Sequence, residues 1–514
     1  MSAAEEIFDV VVIGGGGSGL AAAIEARTAG RSVVLLEKNA RLGGSTAWSI
    51  GSITSTRTPH QLRSRIEDRP QDHYDDMPLF AGELASRDND ELRRILCDEV
   101  PDAVRWLLDL GVRFFGPMPE PPHRQPRMHN VLPNSLSYIY HLERHARRIG
   151  VDIRVNVKAG ELLTQSGAVT GVACGAAYRF RARYGVVLAM GDFTNDPELK
   201  ARYMGPQHAK VEGVNTTATG DGQKLALALG ARIVNGDLAL GPEIRFIAPV
   251  RTTLVRRLPP WPALAQTMEW AMRYAPQALL RPFVMSFLTT ALAPSLSLFR
   301  HGAVLVNAEG RRFCDECGAP ALALPDQPGK IGYILIDGQL ARAFSTWPNF
   351  VSTAPGVAYA YVPDYKRNRR DVYTQAHSID ALAQKLAMSA KVLAATIADY
   401  NVSMSKEERV ALVEPPFIAL GPVRSVFVHN EGGLAVDAQH RVLGAQDQPI
   451  PALYAAGATG QGGLLLKGHG HHLAWAFVSG RRAGRFAASD TGGVEDRLAC
   501  ALSPHTVTPP LIDG

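Results

Sequence analysis

The stretch "FDVVVIGGGGSGLAAAIEARTAGRSVVLLEK", residues 8–38, decides the fold. It begins with an apolar run typical of a buried strand, continues through glycines into an alanine-rich segment typical of a helix, and ends in a second apolar run. Gly14, Gly16 and Gly19 form a GxGxxG pattern directly after the first run, and Glu37 closes the second. This order predicts a strand, a turn, a helix and a parallel strand, which is the βαβ unit that binds dinucleotides.

Each residue type in this unit has a physical reason. Glycines let the backbone approach a pyrophosphate, the start of the helix attracts its charge, and the carboxylate of Glu37 accepts hydrogen bonds from ribose hydroxyls. A second loop of small residues, "LGGSTAWSIGSI" at residues 42–53, follows the acid, as in flavoproteins. Because no second GxGxxG unit follows a strand in the chain, we expect a single dinucleotide, FAD.

Further segments carry a family resemblance in a fixed order. They are "GVVLAMGDFTND" at residues 185–196, "ATGDGQKLALALGA" at 218–231, "GAVLVNAEGRRFCDE" at 302–316, "GGLAVDAQHRVL" at 432–443 and "PALYAAGATGQGG" at 451–463. With them the chain resembles the fumarate reductase/succinate dehydrogenase flavoprotein superfamily, including its 3-ketosteroid Δ1-dehydrogenase branch. The resemblance implies an α/β fold with a Rossmann-type (GR2-like) FAD-binding domain in two segments, 1–240 and 419–514, and an inserted α+β capping domain at 241–418.

The resemblance also implies the residues that bind FAD, which lie in the glycine-rich loops, at the later strand ends and at the start of a C-terminal helix. They are Gly14, Gly16, Gly17, Ser18, Gly19, Glu37, Lys38, Gly43, Gly44, Ser45, Thr46, Ser49, Gly51, Ala189, Gly191, Asp221, Gly457, His471 and His472. Succinate dehydrogenase-type relatives tether FAD through a histidine in the loop after the acid. Since no histidine occurs between Glu37 and Arg57, we expect non-covalent FAD.

Composition excludes some function classes. The net charge is +5, from 54 basic and 49 acidic residues spread along the chain, so no basic patch indicates nucleic-acid binding. Five cysteines are few and odd in number, which favours a reduced compartment, and for the lone CxxC at Cys314 and Cys317 ordinary packing is favoured over a zinc or redox role. The first residues lack a signal-peptide pattern, so we expect a cytoplasmic protein.

A C-terminal stretch, "GGLLLKGHGHHLAWAFVSGRRAG" at residues 462–484, places a lysine and three histidines among glycines. The histidines could ligate a metal, but ligands on one helical face stand three or four residues apart, and the glycines indicate a loop. We therefore predict no metal site.

The resemblance implies the chemistry near this stretch: a hydride moves between a carbon and flavin N5 while a proton moves at the adjacent carbon, which a carbonyl activates. Lys467 stands where fumarate reductases place a substrate-binding arginine. Gly470 stands where ketosteroid dehydrogenases place a glycine whose N–H binds the ketone oxygen, and Leu466 where they place a catalytic tyrosine. We predict Lys467 and Gly470 as catalytic residues.

Other candidates for the chemistry lie elsewhere. His429 in "FVHNEGG" matches a histidine that contacts substrate in fumarate reductases, and His472 is able to shuttle protons or to contact the flavin. Tyr138 begins a helix-like segment that the superfamily directs toward the flavin, where a tyrosinate would remove an α-proton, although a buried aromatic is the commoner fate. The motif "GRRFCDECGAPALALP" lacks the arginine that donates the proton in fumarate reductases. The proton-transfer residue therefore stays unassigned.

Three hypotheses for function follow. The leading one is an FAD-dependent dehydrogenase that desaturates a C–C bond α,β to a carbonyl, in a cyclic ketone or keto acid, with a quinone, a carrier or oxygen as electron acceptor. The second is reduction of a small unsaturated carboxylate held by Lys467. The third is a non-catalytic flavin redox or sensor module.

An uncharged run, "PFVMSFLTTALAPSLSLF" at residues 282–299, contains Pro294 and several hydroxyl residues, which argues against a transmembrane helix. One interpretation is an apolar hairpin packed inside the cap. The other joins the run to nearby arginines as a surface that docks on an anionic membrane or admits a hydrophobic substrate. These arginines are Arg251, Arg256, Arg257, Arg273 and Arg281.

Overall fold

The structure is a computed structural model that describes residues 4–248, 257–276, 281, 285, 289, 292–354, 358–404 and 410–489. The predictions that involve Arg251, Arg256 and most of the run at 282–291 lie outside the described residues, as does Cys500.

Strands and helices alternate through both segments of the predicted FAD-binding domain. The strands are β1 (Ala4–Ile13), β2 (Val33–Leu36), β3 (Ser52–Thr54), β4 (Arg113–Met118), β5 (Met128–Leu132), β6 (Asp152–Arg154), β7 (Glu161–Gln165), β8 (Ala168–Cys174), β9 (Tyr178–Leu188), β10 (Glu212–Gly213), β11 (Ile233–Val234), β12 (Ala239–Leu240), β13 (Glu243–Phe246), β14 (Val304–Asn307), β15 (Gly332–Ile336), β16 (Ser352–Ala354), β17 (Ala358–Ala360), β18 (Tyr373–Ala376), β19 (Phe417–Phe427), β20 (His429–Asn430), β21 (Gly433–Leu434), β22 (Arg441–Leu443) and β23 (Pro449–Ala455). The helices are α1 (Gly17–Thr28), α2 (Gly44–Trp48), α3 (Pro59–Arg63), α4 (Pro70–Ala81), α5 (Asp90–Asp109), α6 (Leu136–Arg148), α7 (Pro197–Met204), α8 (Pro206–Ala209), α9 (Asp221–Leu227), α10 (Pro262–Tyr274), α11 (Leu296–Arg300), α12 (Pro320–Ala323), α13 (Gly338–Ala343), α14 (Val362–Asn368), α15 (Ile379–Lys385), α16 (Ala390–Met404) and α17 (His471–Ser489).

The first sheet is built around β1. Its main order is β22-β23-β9-β1-β2-β6, in which β1 runs parallel to both β2 and β9, and β23 runs parallel to β9. The last four residues of β1 and all four residues of β2 are buried, as expected for parallel strands that are covered on both faces. β23 comes from the C-terminal part of the chain, so the sheet joins two distant segments of sequence.

The second sheet centres on the long strand β19, which pairs with β10, β13, β15 and β18. It lies beside a hydrophobic cluster of its own, whose buried residues run from Ile244 to Val423, while the first sheet belongs to a separate cluster. Cys314 and Cys317 pack against this second cluster. Two separate hydrophobic cores are consistent with an inserted domain. The boundaries of the capping domain at 240/241 and 418/419 stay a prediction.

Helix α17 packs directly on α1. A Cβ added at Gly480 would lie 2.4 Å from Ser18 O, and one added at Gly484 would lie 2.2 Å from Ala22 O. Only glycine allows two helix backbones to approach this closely. The two helices therefore run side by side from Ser18 and Gly480 onward.

The described part of the apolar run at 282–299 lies against the second core. Met285, Leu298 and Phe299 are buried there, which supports the packed interpretation for these three residues. Among the described residues, no helix is both long enough and apolar enough to cross a membrane.

Candidate active site

A cavity of about 960 Å³ lies between the two sheets. One side is formed by the glycine-rich turn after β1, the end of β2 and the loop after it. The other side is formed by residues 245–248 and by Val426 and Val428 at the end of β19. The segment 467–470 and the first turn of α17 complete the wall. The cavity thus connects the predicted dinucleotide site with the inserted region.

The three glycines of the GxGxxG turn have different roles. A Cβ at Gly14 would lie 2.2 Å from Ala189 O, and one at Gly19 would lie 1.8 Å from Gly14 O, so both are required for backbone packing. A Cβ at Gly16 would meet nothing closer than Gly43 O at 3.8 Å, and Gly16 lines the cavity. The turn therefore presents bare backbone at the start of α1, which fits a dinucleotide pyrophosphate.

Glu37 is held at the end of β2 by hydrogen bonds on both oxygens. Its Oε2 accepts from the Gly15 N–H at 2.7 Å, and its Oε1 accepts from the backbone and side chain of Asn39 at 2.8 and 2.7 Å. Glu37 is buried but borders the cavity. Because each carboxylate oxygen has further lone pairs, the geometry fits a ribose as well.

Next to Glu37, Lys38 donates to Asp221 at 2.8 Å and to Thr219 at 2.7 Å. This pair joins the βαβ unit to α9. Both ions lie at the cavity wall and fix the mouth of the predicted dinucleotide site.

Most predicted FAD residues line the cavity. They are Gly14, Gly16, Gly17, Ser18, Glu37, Lys38, Gly44, Ser45, Thr46, Ser49, Gly51, Ala189, Gly191, Asp221, Gly457 and His472. Gly19, Gly43 and His471 do not line it. Gly19 packs against the turn, and the N–H of Gly43 donates to Gly15 O at 2.9 Å, so these two shape the site through the backbone. The individual contacts to FAD stay a prediction.

At the other end of the cavity, three basic side chains surround one buried carboxylate. Oε1 of Glu431 lies 3.7 Å from Lys467 Nζ, 3.7 Å from His472 Nε2 and 3.9 Å from His429 Nε2. We call these four residues the Glu431 cluster. Lys467, His429 and His472 line the cavity, whereas Glu431 lies behind them with no exposed surface.

Hydrogen bonds fix the orientation of Glu431. Its Oε2 accepts from the Leu466 N–H at 3.0 Å and from Gln461 Nε2 at 2.7 Å. Burial alone raises the pKa of this carboxyl, but the neighbouring histidines and the Leu466 N–H outweigh burial and hold the pKa below its usual range. Glu431 is therefore an anion at neutral pH that balances the charge of Lys467.

The imidazoles of His429 and His472 lie against each other, with ring centroids 3.8 Å apart. Burial, and then the neighbouring His472, lower the pKa of His429 well below its ordinary value, so His429 is neutral. Within the described part of the chain, His472 Nε2 has no hydrogen-bond partner. The Nε2 atoms of both imidazoles lie within 3.9 Å of Glu431 Oε1, so the two rings belong to the same electrostatic cluster as Lys467.

Gly470 immediately precedes α17 and lines the cavity. Its φ is +89°, and a Cβ there would lie 2.7 Å from the backbone nitrogen of Thr54, so glycine is required. The Thr54 hydroxyl donates to His469 O at 2.7 Å and fixes the loop from the other side. This placement is compatible with the predicted role of Gly470, which stays a prediction.

Tyr138 does not line the cavity. It has no exposed surface, its hydroxyl donates to Gly51 O at 3.0 Å, and burial raises the pKa of its phenol well above the ordinary value. A base must be able to ionise and to reach the substrate. The geometry gives Tyr138 a structural role under the loop at Gly51 and does not support the predicted catalytic one.

His471 belongs to a buried cluster with His73 and His123. His471 Nδ1 donates to Lys467 O at 2.6 Å, so its Nε2 accepts from His73 Nε2 at 3.0 Å. His123 Nδ1 accepts from Arg127 at 2.8 Å, since a guanidinium only donates. The proton of His123 then lies on Nε2, so this nitrogen has no lone pair to offer a metal. These tautomers favour a hydrogen-bonded histidine cluster over a metal site.

Two buried carboxylates of the site were missed by sequence reasoning. Glu431, in the same "FVHNEGG" segment as His429, was assigned no role, and neither was Glu120, whose Oε1 lies 2.5 Å from His469 Nδ1. Glu120 is 349 residues from His469 in the chain, and no local motif surrounds it. Acidic residues beside proline are common in loops, so no sequence signal distinguishes this one.

The fold and the cavity together define a flavoprotein oxidoreductase with a dinucleotide cradle that opens onto a substrate space. The chain matches the model of the family described as FAD binding domain over residues 9–243 and 270–465, and it belongs to that family, within the fumarate reductase/succinate dehydrogenase flavoprotein superfamily. It is an FAD-dependent oxidoreductase acting on CH–CH groups. The predicted family, the α/β FAD-binding fold in two segments and the enzyme class are confirmed.

Known proteins show how far the similarity extends. The chain is 25% identical to NADH:fumarate oxidoreductase of Klebsiella pneumoniae (strain 342) over 96% of its own length, but it spans only 48% of that protein. It is also similar to the open conformation of a flavocytochrome c3 fumarate reductase, with a TM-score of 0.69 and 25% identity over 94% of this chain and 78% of that one. A 3-ketosteroid Δ1-dehydrogenase from Sterolibacterium denitrificans shares the fold, with a TM-score of 0.62 and 18% identity over 94% and 99% of the two chains.

Proposed function

We propose that this chain reduces the C=C bond of a substrate in which the double bond is conjugated with one carboxylate. The observation that carries the proposal is the Glu431 cluster, where Lys467 reaches the cavity and its nearest anion is 3.7 Å away. At that distance Lys467 keeps its hydrogen-bond donors for a ligand. Lys467 brings one ammonium group to the cavity, which matches one carboxylate, and His429 beside it is neutral.

The similarity to two fumarate-reducing proteins supports reduction over the desaturation that was our leading hypothesis. When bound, the flavin supplies or accepts a hydride at N5. The chain must then hold the carboxylate, exclude water and deliver a proton to the carbon beside it. Lys467 neutralises the carboxylate, the Gly470 N–H supports the carbonyl oxygen as charge develops, and residues 245–248 close the cavity from the inserted region.

Desaturation of a neutral ketone is the second candidate, because the wall opposite the glycine turn is largely apolar. Phe246, Ile247, Leu292, Phe350 and Val426 line it. Such a surface suits a ring better than a small acid, and the chemistry is reversible in principle.

One experiment separates the two candidates. The purified protein is reduced anaerobically and mixed with acrylate, fumarate, urocanate or 2-cyclohexenone while flavin absorbance is followed; in the other direction, oxidised protein is mixed with saturated acids and with cyclic ketones. We expect fast reoxidation by a monocarboxylate and slow reoxidation by the neutral enone. Bleaching of oxidised flavin by ketones, with no reoxidation by any acid, would reverse the proposal.

The state of the cofactor is part of the proposal. We propose that FAD is bound without a covalent link, in keeping with the absence of histidine between Glu37 and Arg57. Acid precipitation should release all flavin into the supernatant, and flavin that stays with the pellet would contradict this. The electron partner, a quinone or a carrier, and contact with an anionic membrane stay predictions, the second tested by sedimentation with anionic vesicles.

A further inference from the structure

His469 and Glu120 form a close pair at the cavity wall. Oε1 of Glu120 lies 2.5 Å from His469 Nδ1 and accepts from the His469 backbone N–H at 2.8 Å. The imidazole lines the cavity with 43% of the side chain exposed, while the Glu120 side chain is 5% exposed. We call these two residues the His469–Glu120 pair. One member faces the ligand space, and the other is anchored behind it.

The pair requires a positive charge on His469. Oε2 of Glu120 is buried, and among the described residues it has no hydrogen-bond partner. A buried carboxylate bonded on one oxygen only is costly unless a cation compensates it. His469 is the basic group in hydrogen-bond contact with it, and Arg245, the next cation along the wall, is paired with Glu243.

The net effect of the surroundings of His469 is to raise its pKa. The hydrogen bond to Glu120 raises the pKa of His469, burial opposes this, and among the more distant charges Arg245 lowers the pKa and Glu243 raises it. These interactions therefore favour the imidazolium form of His469. Its Nδ1–H is engaged by Glu120, and Nε2–H is left for the cavity.

We propose that His469 is the proton donor of the reduction and that Glu120 is the residue that positions and charges it, an inference that rests on the proposed function. A bound reduced flavin would supply the hydride, with its electron pair, for the β-carbon. The N–H bond at Nε2 of His469 breaks, its proton forms the new C–H bond at the α-carbon, and its electron pair stays on the imidazole. Since the side chain is half-exposed, solvent returns the proton to His469 for the next cycle.

The other acids of the site suit this task less well. Tyr138 does not reach the cavity, and His429 is neutral with a lowered pKa. Lys467 is engaged with Glu431 and with the proposed carboxylate. In this proposal the His469–Glu120 pair takes the role of proton donor, which an arginine absent from this chain has in fumarate reductases.

The first test measures protonation without turnover. In protein labelled with 15N-histidine and carrying oxidised FAD, the imidazole nitrogens are titrated by NMR, with His469→Gln used to assign the signal and the exposed His377 as an internal reference. We expect His469 to titrate above the ordinary value of about 6.5 and Glu120→Gln to bring it down. The inference would be overturned if the measured pKa of His469 were no higher than the measured pKa of His377. It would also be overturned if Glu120→Gln left the pKa of His469 unchanged.

The second test follows reoxidation of reduced flavin by acrylate across pH. His469→Gln should lower the rate constant by about 100-fold or more with little change in KM, because general acids contribute about 100- to 10,000-fold. In Glu120→Gln, activity should fall at a lower pH than in the wild type. The substitution lowers the pKa of His469, so the acid form of His469 is lost at a lower pH as the pH rises. His377→Gln, the matched control, should change neither.

The outcomes distinguish this inference from the function beneath it. If no unsaturated acid reoxidises the wild-type flavin, the proposed function fails, and the donor role fails with it. If the wild type reacts and His469→Gln reacts as fast with an unaltered pH profile, only the donor role is overturned. A normal flavin spectrum in both variants confirms that the cofactor site is intact.

Discussion

The flavin cradle and the opposite wall of the cavity are built in different ways. The cradle, residues 14–19, acts through its backbone, and its partners Glu37 and Ala189 follow in the same parallel sheet. The wall, residues 467–472, acts through side chains whose partners, Glu120 and Glu431, come from distant loops. A backbone site is a property of one motif, whereas a side-chain site depends on tertiary structure. The same protein therefore combines a site determined by backbone contacts with a site determined by side-chain contacts.

The first prediction probes the cradle and has the largest expected effect. In Gly19→Ala the new Cβ would lie 1.8 Å from Gly14 O, and backbone atoms cannot yield as a flexible side chain can. We expect a loss of at least about 3 kcal/mol of folding free energy, or no folded protein, measured by urea unfolding.

The control for that prediction is Gly160→Ala, whose Cβ would meet Ala173 O at an ordinary 3.5 Å. It should cost less than about 1 kcal/mol. Equal stability of the two variants would remove the distinction between a cradle set by backbone contacts and the rest of the fold.

The second prediction probes the buried anion of the wall. Glu431→Gln leaves Lys467 without its balancing charge and should destabilise the protein by about 2–4 kcal/mol at pH 7. The folded pKa of Glu431 is lowered, so its contribution is present above the unfolded pKa of about 4.3 and is lost as pH falls through the folded pKa. The gap between variant and wild type should therefore narrow below about pH 4.

Urea unfolding at several pH values measures this gap, with the exposed Glu309→Gln as control. A gap that does not change between pH 7 and pH 3 would mean that Glu431 stabilises the fold through shape and not through charge.

The third prediction sharpens the comparison at the substrate. Lys467→Met should lower kcat/KM for acrylate by about 10- to 100-fold and for 2-cyclohexenone by less than about threefold, because only the acid needs the ammonium. Lys467→Arg keeps the charge and serves as control. Equal losses of kcat/KM for both compounds would show that Lys467 shapes the cavity without binding the carboxylate.

The fourth prediction has the smallest effect. Tyr138→Phe removes one hydrogen bond to Gly51 O and should cost about 1 kcal/mol of stability while leaving turnover within about threefold. Tyr365→Phe, which removes a buried hydrogen bond to Ser352 in the second core, is the matched control. A 100-fold loss of turnover in Tyr138→Phe alone would restore the catalytic role that the sequence suggested.

The sequence was sufficient for the cradle because its signals are local. The spacing of Gly14, Gly16 and Gly19 and the position of Glu37 follow from steric and hydrogen-bonding requirements that any such turn must satisfy. The family resemblance extended this prediction to the order of the segments and to the enzyme class. The direction of the reaction was the weaker part, since hydride transfer at the same site runs both ways.

The wall was harder to predict for a physical reason. Lys467, Gly470 and His472 were predicted with the help of the family resemblance, but their partners were not, because a buried acid such as Glu120 resembles any loop acid in sequence. Burial also decides accessibility, which sequence does not encode locally. His471 thus lies outside the cavity although its neighbours in the chain, Gly470 and His472, line it, and Tyr138 lies outside it beneath the loop at Gly51.

The glycine contact between α1 and α17 has a consequence for how such enzymes change their substrates. Gly480 and Gly484 hold the body of α17 against α1, so the position of α17 is set about two and a half to three and a half turns after its first residue, His471. The residues just ahead of α17 then form a loop whose side chains can change while the position of the helix stays fixed. Selection or a protein engineer can exchange the side chains at Lys467 and His469, while Gly468 and Gly470 keep the backbone of the loop, and the new side chains will reach the same wall of the cavity.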